Sequence, residues 1–249
     1  MLELKGKVAL ITGGGSGIGE ACAHSLSKQG AFVAVVDQHI EQAKRVVTEL
    51  KNLGRQAIAI SADVSDDSEV SRAVSETLRE FGSLNIAVNN AGVGGDQAPT
   101  AEQSLAGWRK VISVNLDGVF YCMRHEIPAM IKSGGGSIIN MASILGKVGY
   151  ANASGYVAAK HGVVGLTKSA ALEYATSGIR INSVGPGFIK TPLLSSVPKE
   201  ALGSIAKLHA LQRLGESHEV AALVTFLASN DSSFITGSYF AVDGGYLAQ

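Results

Sequence analysis

The chain is poor in cysteine, proline and tryptophan, with 2, 5 and 1 of them among 249 residues. Cys22 and Cys122 fall at helical, core-like positions, and neither belongs to a metal or redox spacing. Both read as small buried hydrophobes of a reducing compartment. An excess of charge is also missing: Lys and Arg number 21, and so do Asp and Glu. A nucleic-acid binder usually carries a basic surplus, so nucleic acid is not expected as a partner. No apolar run approaches the roughly 18 residues that cross a bilayer, which argues against a membrane partner. The N-terminus lacks the apolar core of a secretion signal, and a cytoplasmic location is the expectation. The six histidines (24, 39, 125, 161, 209, 218) show no spacing such as H-E-x-x-H. They read as solvated surface residues, and no metal ligand is assigned.

Hydrophobic residues make up 46% of the chain and charged ones 17%, and there are 30 glycines. That composition fits a well-buried core with many tight turns or close ligand approaches. Short β-branched runs at 8–12, 32–36, 57–61, 85–88, 137–141, 180–184 and 240–242 alternate with helical patterns. Val70, Val74, Leu78 and Phe81 form one helical stripe, and a long helix is expected from about Ala101 to Lys132, broken near Gly107. Strand–helix alternation predicts an α/β fold: a single Rossmann-type doubly wound domain over 1–249, a seven-stranded parallel sheet with helices on both faces. Prolines and glycines over 185–198 predict an irregular segment. Lying beyond a parallel strand, it reads as part of a substrate lid at about 187–212.

Tyr156 and Lys160 stand four apart on a predicted helix, which puts a phenol and an ammonium side by side. A phenol titrates near pH 10, and a fixed cation is expected to lower that, making the pair a tuned general acid/base. Gly13, Ser16, Gly17, Ile18 and Gly19 follow the first strand and open a helix, the context of a dinucleotide loop. Asp37 ends the second strand, where a carboxylate accepts from ribose hydroxyls and repels a 2′-phosphate; the cofactor is expected to be NAD rather than NADP. Asp63 and Val64 stand at the end of the third strand, within reach of an adenine. Asn90, Ala91 and Gly92 end the fourth, where small residues let backbone approach the cofactor.

With these motifs in order, including T-G-x-x-x-G-x-G at 12–19, N-N-A-G at 89–92, Ser143, Tyr156-x-x-x-Lys160 and Pro186-Gly187, the sequence resembles the short-chain dehydrogenase/reductase family from Gly6 onward. It is similar to its bacterial secondary-alcohol dehydrogenases and carbonyl reductases. The resemblance implies hydride transfer between NAD(H) and a secondary alcohol or ketone. Tyr156 would act as acid/base and Ser143 would orient the substrate oxygen. Lys160 would lower the tyrosine pKa and bind ribose, and Asn115 would hold a relay water. It also implies that Pro186, Gly187, Ile189 and Thr191 flank the nicotinamide. A homotetramer follows from it too, and the apolar Ala170, Ala171 and Tyr174 agree with that. The Asp243–Gln249 tail is similar to tails that place a terminal carboxylate at a structural magnesium. Ile144, Leu145, Val148, Tyr150, Phe188, Leu193 and Leu194 predict an apolar substrate lining with Lys147 its one obvious charge, hence a hydrophobic small-molecule ketone or alcohol. A sugar or cyclic diol dehydrogenase and a 3-oxoacyl carrier-protein reductase are the alternatives. A nucleotide sensor would not need the full catalytic set, and a nucleotide-sugar epimerase would need a larger C-terminal domain.

Overall fold

Strands buried on both faces read as continuous apolar runs, as the fully buried Val8–Thr12 does, and here seven strands pair in parallel. The computed structural model describes residues 3–195 and 199–248. The strands are β1 (Val8–Thr12), β2 (Phe32–Asp37), β3 (Ala57–Ser61), β4 (Ile86–Asn89), β5 (Gly136–Met141), β6 (Ile179–Pro186) and β7 (Tyr239–Val242), in the order β3-β2-β1-β4-β5-β6-β7. The helices are α1 (Gly17–Lys28), α2 (Ile40–Asn52), α3 (Asp67–Phe81), α4 (Leu105–Ile112), α5 (Gly118–Lys132), α6 (Ser154–Tyr174), α7 (Lys199–Ala206) and α8 (Ser217–Ala228).

Side chains alternate across each strand, so the sheet feeds two cores. Ala9 and Ile11 pack with α1, α2 and α8 on one face, while Leu10 packs with α3, α5 and α6 on the other. The chain leaves β1 for β2 on one side and returns to β4 on the other. This reversal opens a crevice at the carboxyl ends of β1 and β4, the place where doubly wound sheets take ligands.

Three expectations need correction. The long helix begins at Leu105, where the Ser104 side chain accepts from the Gly107 N–H, and it runs on to Lys132 through a π turn at Ser113–Asp117. Gly107 is no break; a Cβ there would strike the Asp96 carboxylate, so the residue is small for packing. Gly185 and Pro186 are not irregular but extend β6. Pairing with β5 has already ended at Val184, so the missing N–H of Pro186 leaves no ladder partner unserved. Ala170 and Ala171 are buried in this chain's own core beside β6, so they offer no outward face to a second subunit. Cys22 and Cys122 are both buried, as read.

One core group is unusual. Glu126 of α5 is 0% exposed, with Asn89 Nδ2 donating to its Oε2 at 3.0 Å. Its Oε1 and Asn89 Oδ1 are buried without a partner. Burial lifts this carboxyl to about 8, against the opposing pull of the Asn89 bond, so it is a neutral acid at pH 7. Because its folded pKa is raised, its contribution to stability is intact below about pH 4.5 and is lost as pH climbs to about 8. Glu126→Gln is therefore expected to match wild type near pH 4.5 and to exceed it by roughly 3–5 kcal/mol near pH 8. Urea melts at both pH values check this.

Candidate active site

The crevice is a cleft of about 880 Å³ running from Asp37 to the α6 helix. Backbone geometry explains its glycine floor. Gly13 and Gly17 have φ of +60° and +55°, and a Cβ on Gly13 would lie 2.9 Å from Ala91 Cα. Gly19 does not line the cleft; a Cβ there would overlap the Gly13 carbonyl, so it is small for loop packing. Ser16 precedes α1 with no side-chain cap bond, leaving first-turn amides unclaimed at the positive helix end. These glycines and amides make a cradle that a dinucleotide pyrophosphate fits and a side chain would fill.

Gly13, Ser16, Gly17, Ile18, Asp37, Asp63, Val64, Asn90, Ala91, Gly92, Pro186, Gly187, Ile189 and Thr191 all border the cleft. Asp37 Oδ2 accepts from the Gly15 N–H at 3.0 Å and Oδ1 from the His39 N–H at 2.9 Å, which fixes the carboxylate at the mouth. It thus also steadies the entry to α2. Arg45 is the nearby cation, but it is committed to Glu20, Glu49 and the Gly15 carbonyl and does not border the cleft. Asp63 lies two residues beyond the end of β3 and holds Ser65 through its Oδ1. Asn90 Nδ2 donates to the Thr12 and Gly13 carbonyls, clasping the glycine loop to β4. Thr191 packs on Gly17, so the segment after β6 closes over the loop.

At the other end lie Ser143, Tyr156 and Lys160. Ser143 Oγ accepts from the Leu145 N–H at 3.1 Å, which fixes its rotamer and leaves its proton to donate. Lys160 is 3% exposed; its Nζ donates to the Met141 carbonyl at 2.8 Å and lies 5.5 Å from the centre of the Tyr156 ring. Burial pulls Lys160 down to about 8. It pushes the Tyr156 phenol up, while a hydrogen bond from Ser143 works downward. The sequence-based expectation of a phenol lowered by the neighbouring ammonium therefore does not describe this state: desolvation dominates, and the phenol stays a proton donor. Asn115 is 0% exposed and does not border the cleft. Its amide is spent on Val93, accepting from the N–H at 2.9 Å and donating to the carbonyl at 2.8 Å.

Several expectations about the periphery change. Lys147 and Val148 do not border the cleft; the Lys147 ammonium lies over the Tyr239 ring, 4.9 Å from its centre, and among the described residues the bordering lysines are Lys110 and Lys160. Lys199–Ala206 of the expected lid is helical, with Ile205, Leu193 and Leu194 bordering the cleft. Residues 196–198 and Gln249, the site suggested for magnesium, lie outside the described residues. His209 is buried rather than solvated. Among the described residues Glu20, His24 and Glu49 come together, a tertiary grouping no sequence spacing announces, with the Arg45 guanidinium already between its acids.

Sequence reasoning missed Tyr239, whose hydroxyl donates to the Ser143 carbonyl at 3.0 Å. Gly185 lets it pass, since a Cβ there would overlap the Tyr239 hydroxyl. It placed Thr12 in the glycine motif without giving it a role; its Oγ1 accepts from the Asn90 and Ala91 amides. A glycine two residues beyond the register partner of an aromatic on the neighbouring strand was the signal for the first.

Comparison with known proteins agrees with this layout. A family model described as Enoyl-(Acyl carrier protein) reductase matches residues 13–247. The cyclohexanol dehydrogenase of Acinetobacter sp. (strain SE19) is 51% identical over 247 residues, covering 99% of this chain and 97% of that protein. The cis-4-hydroxycyclohexanecarboxylate dehydrogenase of Sinomonas cyclohexanicum is 44% identical, covering 97% of each. The crystal structure of levodione reductase superposes with a TM-score of 0.95 at 38% identity over 98% of both chains. Among the described residues no helix is long and apolar enough to cross a membrane. The chain belongs to the short-chain dehydrogenase/reductase family, nicotinamide-dependent oxidoreductases that act on CH–OH groups.

Proposed function

We propose that the protein interconverts an apolar, ring-shaped ketone and its secondary alcohol with NAD(H). The observation that carries this reading is the pairing of a buried Ser143–Tyr156–Lys160 set with a cleft end bordered by Ile144, Leu145, Tyr150, Phe188 and Leu193. Such a lining favours a hydrocarbon ring over a polyol, whose hydroxyls would be left without partners. Relatives that oxidise cyclohexanol and a hydroxycyclohexane acid support it. Carrier-protein substrates are disfavoured because, among the described residues, Lys110 is the sole bordering lysine or arginine outside the reacting group.

When bound, a nicotinamide cofactor would supply or accept the hydride. Ser143 donates to the substrate oxygen, and Tyr156, held protonated by burial, delivers the proton that turns an alkoxide into the alcohol. Lys160 presents a cation of low basicity beneath the phenol, where ribose hydroxyls would meet it. Asn115 braces Val93, so any water it holds would be held by its backbone carbonyl, inside the π turn. Gly13, Ser16, Gly17, Ile18 and the packing Gly19 would take the pyrophosphate, and Asp37 the adenosine ribose. Asp63 and Val64 would face the adenine, Asn90, Ala91 and Gly92 would face the near side of the cofactor, and Pro186, Gly187, Ile189 and Thr191 would flank the nicotinamide from the lid at about 187–212. A homotetramer and a magnesium at the C-terminus remain part of the proposal.

A panel of ketones and alcohols with NADH and NAD⁺, including cyclohexanone, cyclohexanol, glucose and a 3-oxoacyl thioester, tests the substrate class by nicotinamide absorbance. Turnover confined to glucose or the thioester would overturn it. For the cofactor, the fixed Asp37 carboxylate would face a 2′-phosphate with no arginine bordering the cleft among the described residues. kcat/KM is expected to favour NADH over NADPH by at least about tenfold, from like-charge repulsion at a partly wet site. Asp37→Ser should narrow that ratio; a wild-type preference for NADPH contradicts the assignment.

A further inference from the structure

Behind the substrate end of the cleft stands a layer of rings that does not itself border it. Phe188 borders the cleft, and its ring centre is 5.9 Å from Tyr150. On the far side are His209, edge-on at 5.8 Å and 86°, and Tyr246 at 6.2 Å. Neither of these two lines the cleft.

His209 follows α7 in an exposed stretch, yet it is 2% exposed itself. Its Nε2 receives the Phe188 N–H at 3.1 Å. A ring nitrogen that accepts carries no proton, so the imidazole proton sits on Nδ1, which faces the Ala206 carbonyl at 3.4 Å. The neutral ring is thus held from both sides in one tautomer. Gly187 is drawn tightly against it, since a Cβ there would lie 2.8 Å from Nε2. Tyr246 is anchored in turn, because Asp243 accepts from the Gly245 and Leu247 amides at 3.0 and 2.9 Å.

We propose that Phe188 is a specificity-determining wall of the substrate pocket, and that His209 is the positioning residue that sets it by gripping both its N–H and its ring. Tyr246 buttresses the same ring from the C-terminal turn. The inference rests on the ketone/alcohol reading above and deepens it. A bulky ring substrate needs a wall at fixed distance from Tyr156, whereas a small acyclic ketone does not. Without an acceptor for its N–H, the Phe188 peptide turns toward water and takes the wall with it.

The test compares His209→Leu, which fills the space without an acceptor, with His209→Gln, whose Oε1 replaces Nε2. kcat and KM are measured for cyclohexanone, acetone and NADH, together with hydrogen exchange of the Phe188 amide. His209→Leu should raise KM for cyclohexanone about tenfold, the scale of discrimination by an apolar pocket, while acetone and NADH change little. Exchange at Phe188 should quicken, and His209→Gln should restore both. Tyr246→Leu should lower the cyclohexanone/acetone ratio of kcat/KM without speeding that exchange, which keeps the proposal testable if the leucine variant of His209 fails to fold. An unchanged ratio in His209→Leu, or an equal loss for both ketones that Gln does not rescue, overturns the proposal. If wild type reduces neither ketone, the functional reading fails and the wall loses its substrate; the Phe188 exchange rate then decides whether His209 grips the N–H.

Discussion

Tyr156→Phe should retain NADH binding and lose turnover by about 10²–10⁴-fold, the range that a positioned acid/base supplies. The phenol oxygen is what the variant lacks; the ring, its stack near Lys160 Nζ and the surrounding cleft are kept. Burial raises this phenol and Ser143 moderates it, so the group is a proton donor across neutral pH. Ketone reduction therefore has its acid ready, whereas alcohol oxidation first requires that proton to leave. Reduction should hold up at neutral pH while oxidation improves as pH rises. Cofactor fluorescence titration and single-turnover rates of the variant separate binding from chemistry.

Lys160→Met should divide stability from activity. The ammonium is buried with a backbone carbonyl as its hydrogen-bond partner, and desolvation holds its pKa at about 8 instead of 10.5. A depressed lysine makes its full contribution above about pH 10.5 and loses it as pH falls through 8. At pH 7 wild type therefore carries the whole penalty, and a methionine of similar shape does not. The variant is expected to be more stable by roughly 1–3 kcal/mol at pH 7, with the gap closing toward pH 10.5. Its turnover should nevertheless fall by about 10²-fold or more, since the cation beside the Tyr156 ring, proposed to meet the ribose, is gone. Thermal melts against pH, read beside kcat, check both halves. A destabilised variant at pH 7 would mean that the Met141 bond outweighs desolvation.

Much of this arrangement was legible in the sequence because backbone rules enforce it. Glycines at 13 and 17 are demanded by positive φ, and strand–helix alternation dictates a parallel sheet with its crevice at the carboxyl ends. The i, i+4 spacing of Tyr156 and Lys160 put both on one helix face. What escaped was set by tertiary contact. The direction of the Tyr156 shift depends on desolvation, which spacing does not reveal. His209 looked like a surface histidine because no spacing in the sequence marks it; the tertiary packing of Gly187, Phe188 and Tyr246 buries it. Tyr239 reaches Ser143 across 96 residues. Glu126 sits at a helix position where an acid usually meets water, and the Asn89 network hides it. Ala170 and Ala171, read as an outward face, are claimed by the chain's own sheet.

Transfer of label from NADH deuterated at the nicotinamide C4 tests the account most directly, with cyclohexanone as acceptor and product analysed by mass spectrometry. Wild type should deliver deuterium to the carbinol carbon of cyclohexanol, and Tyr156→Phe, saturated with the same cofactor, should deliver almost none over the same interval. Equal deuterium incorporation by the two proteins would contradict it.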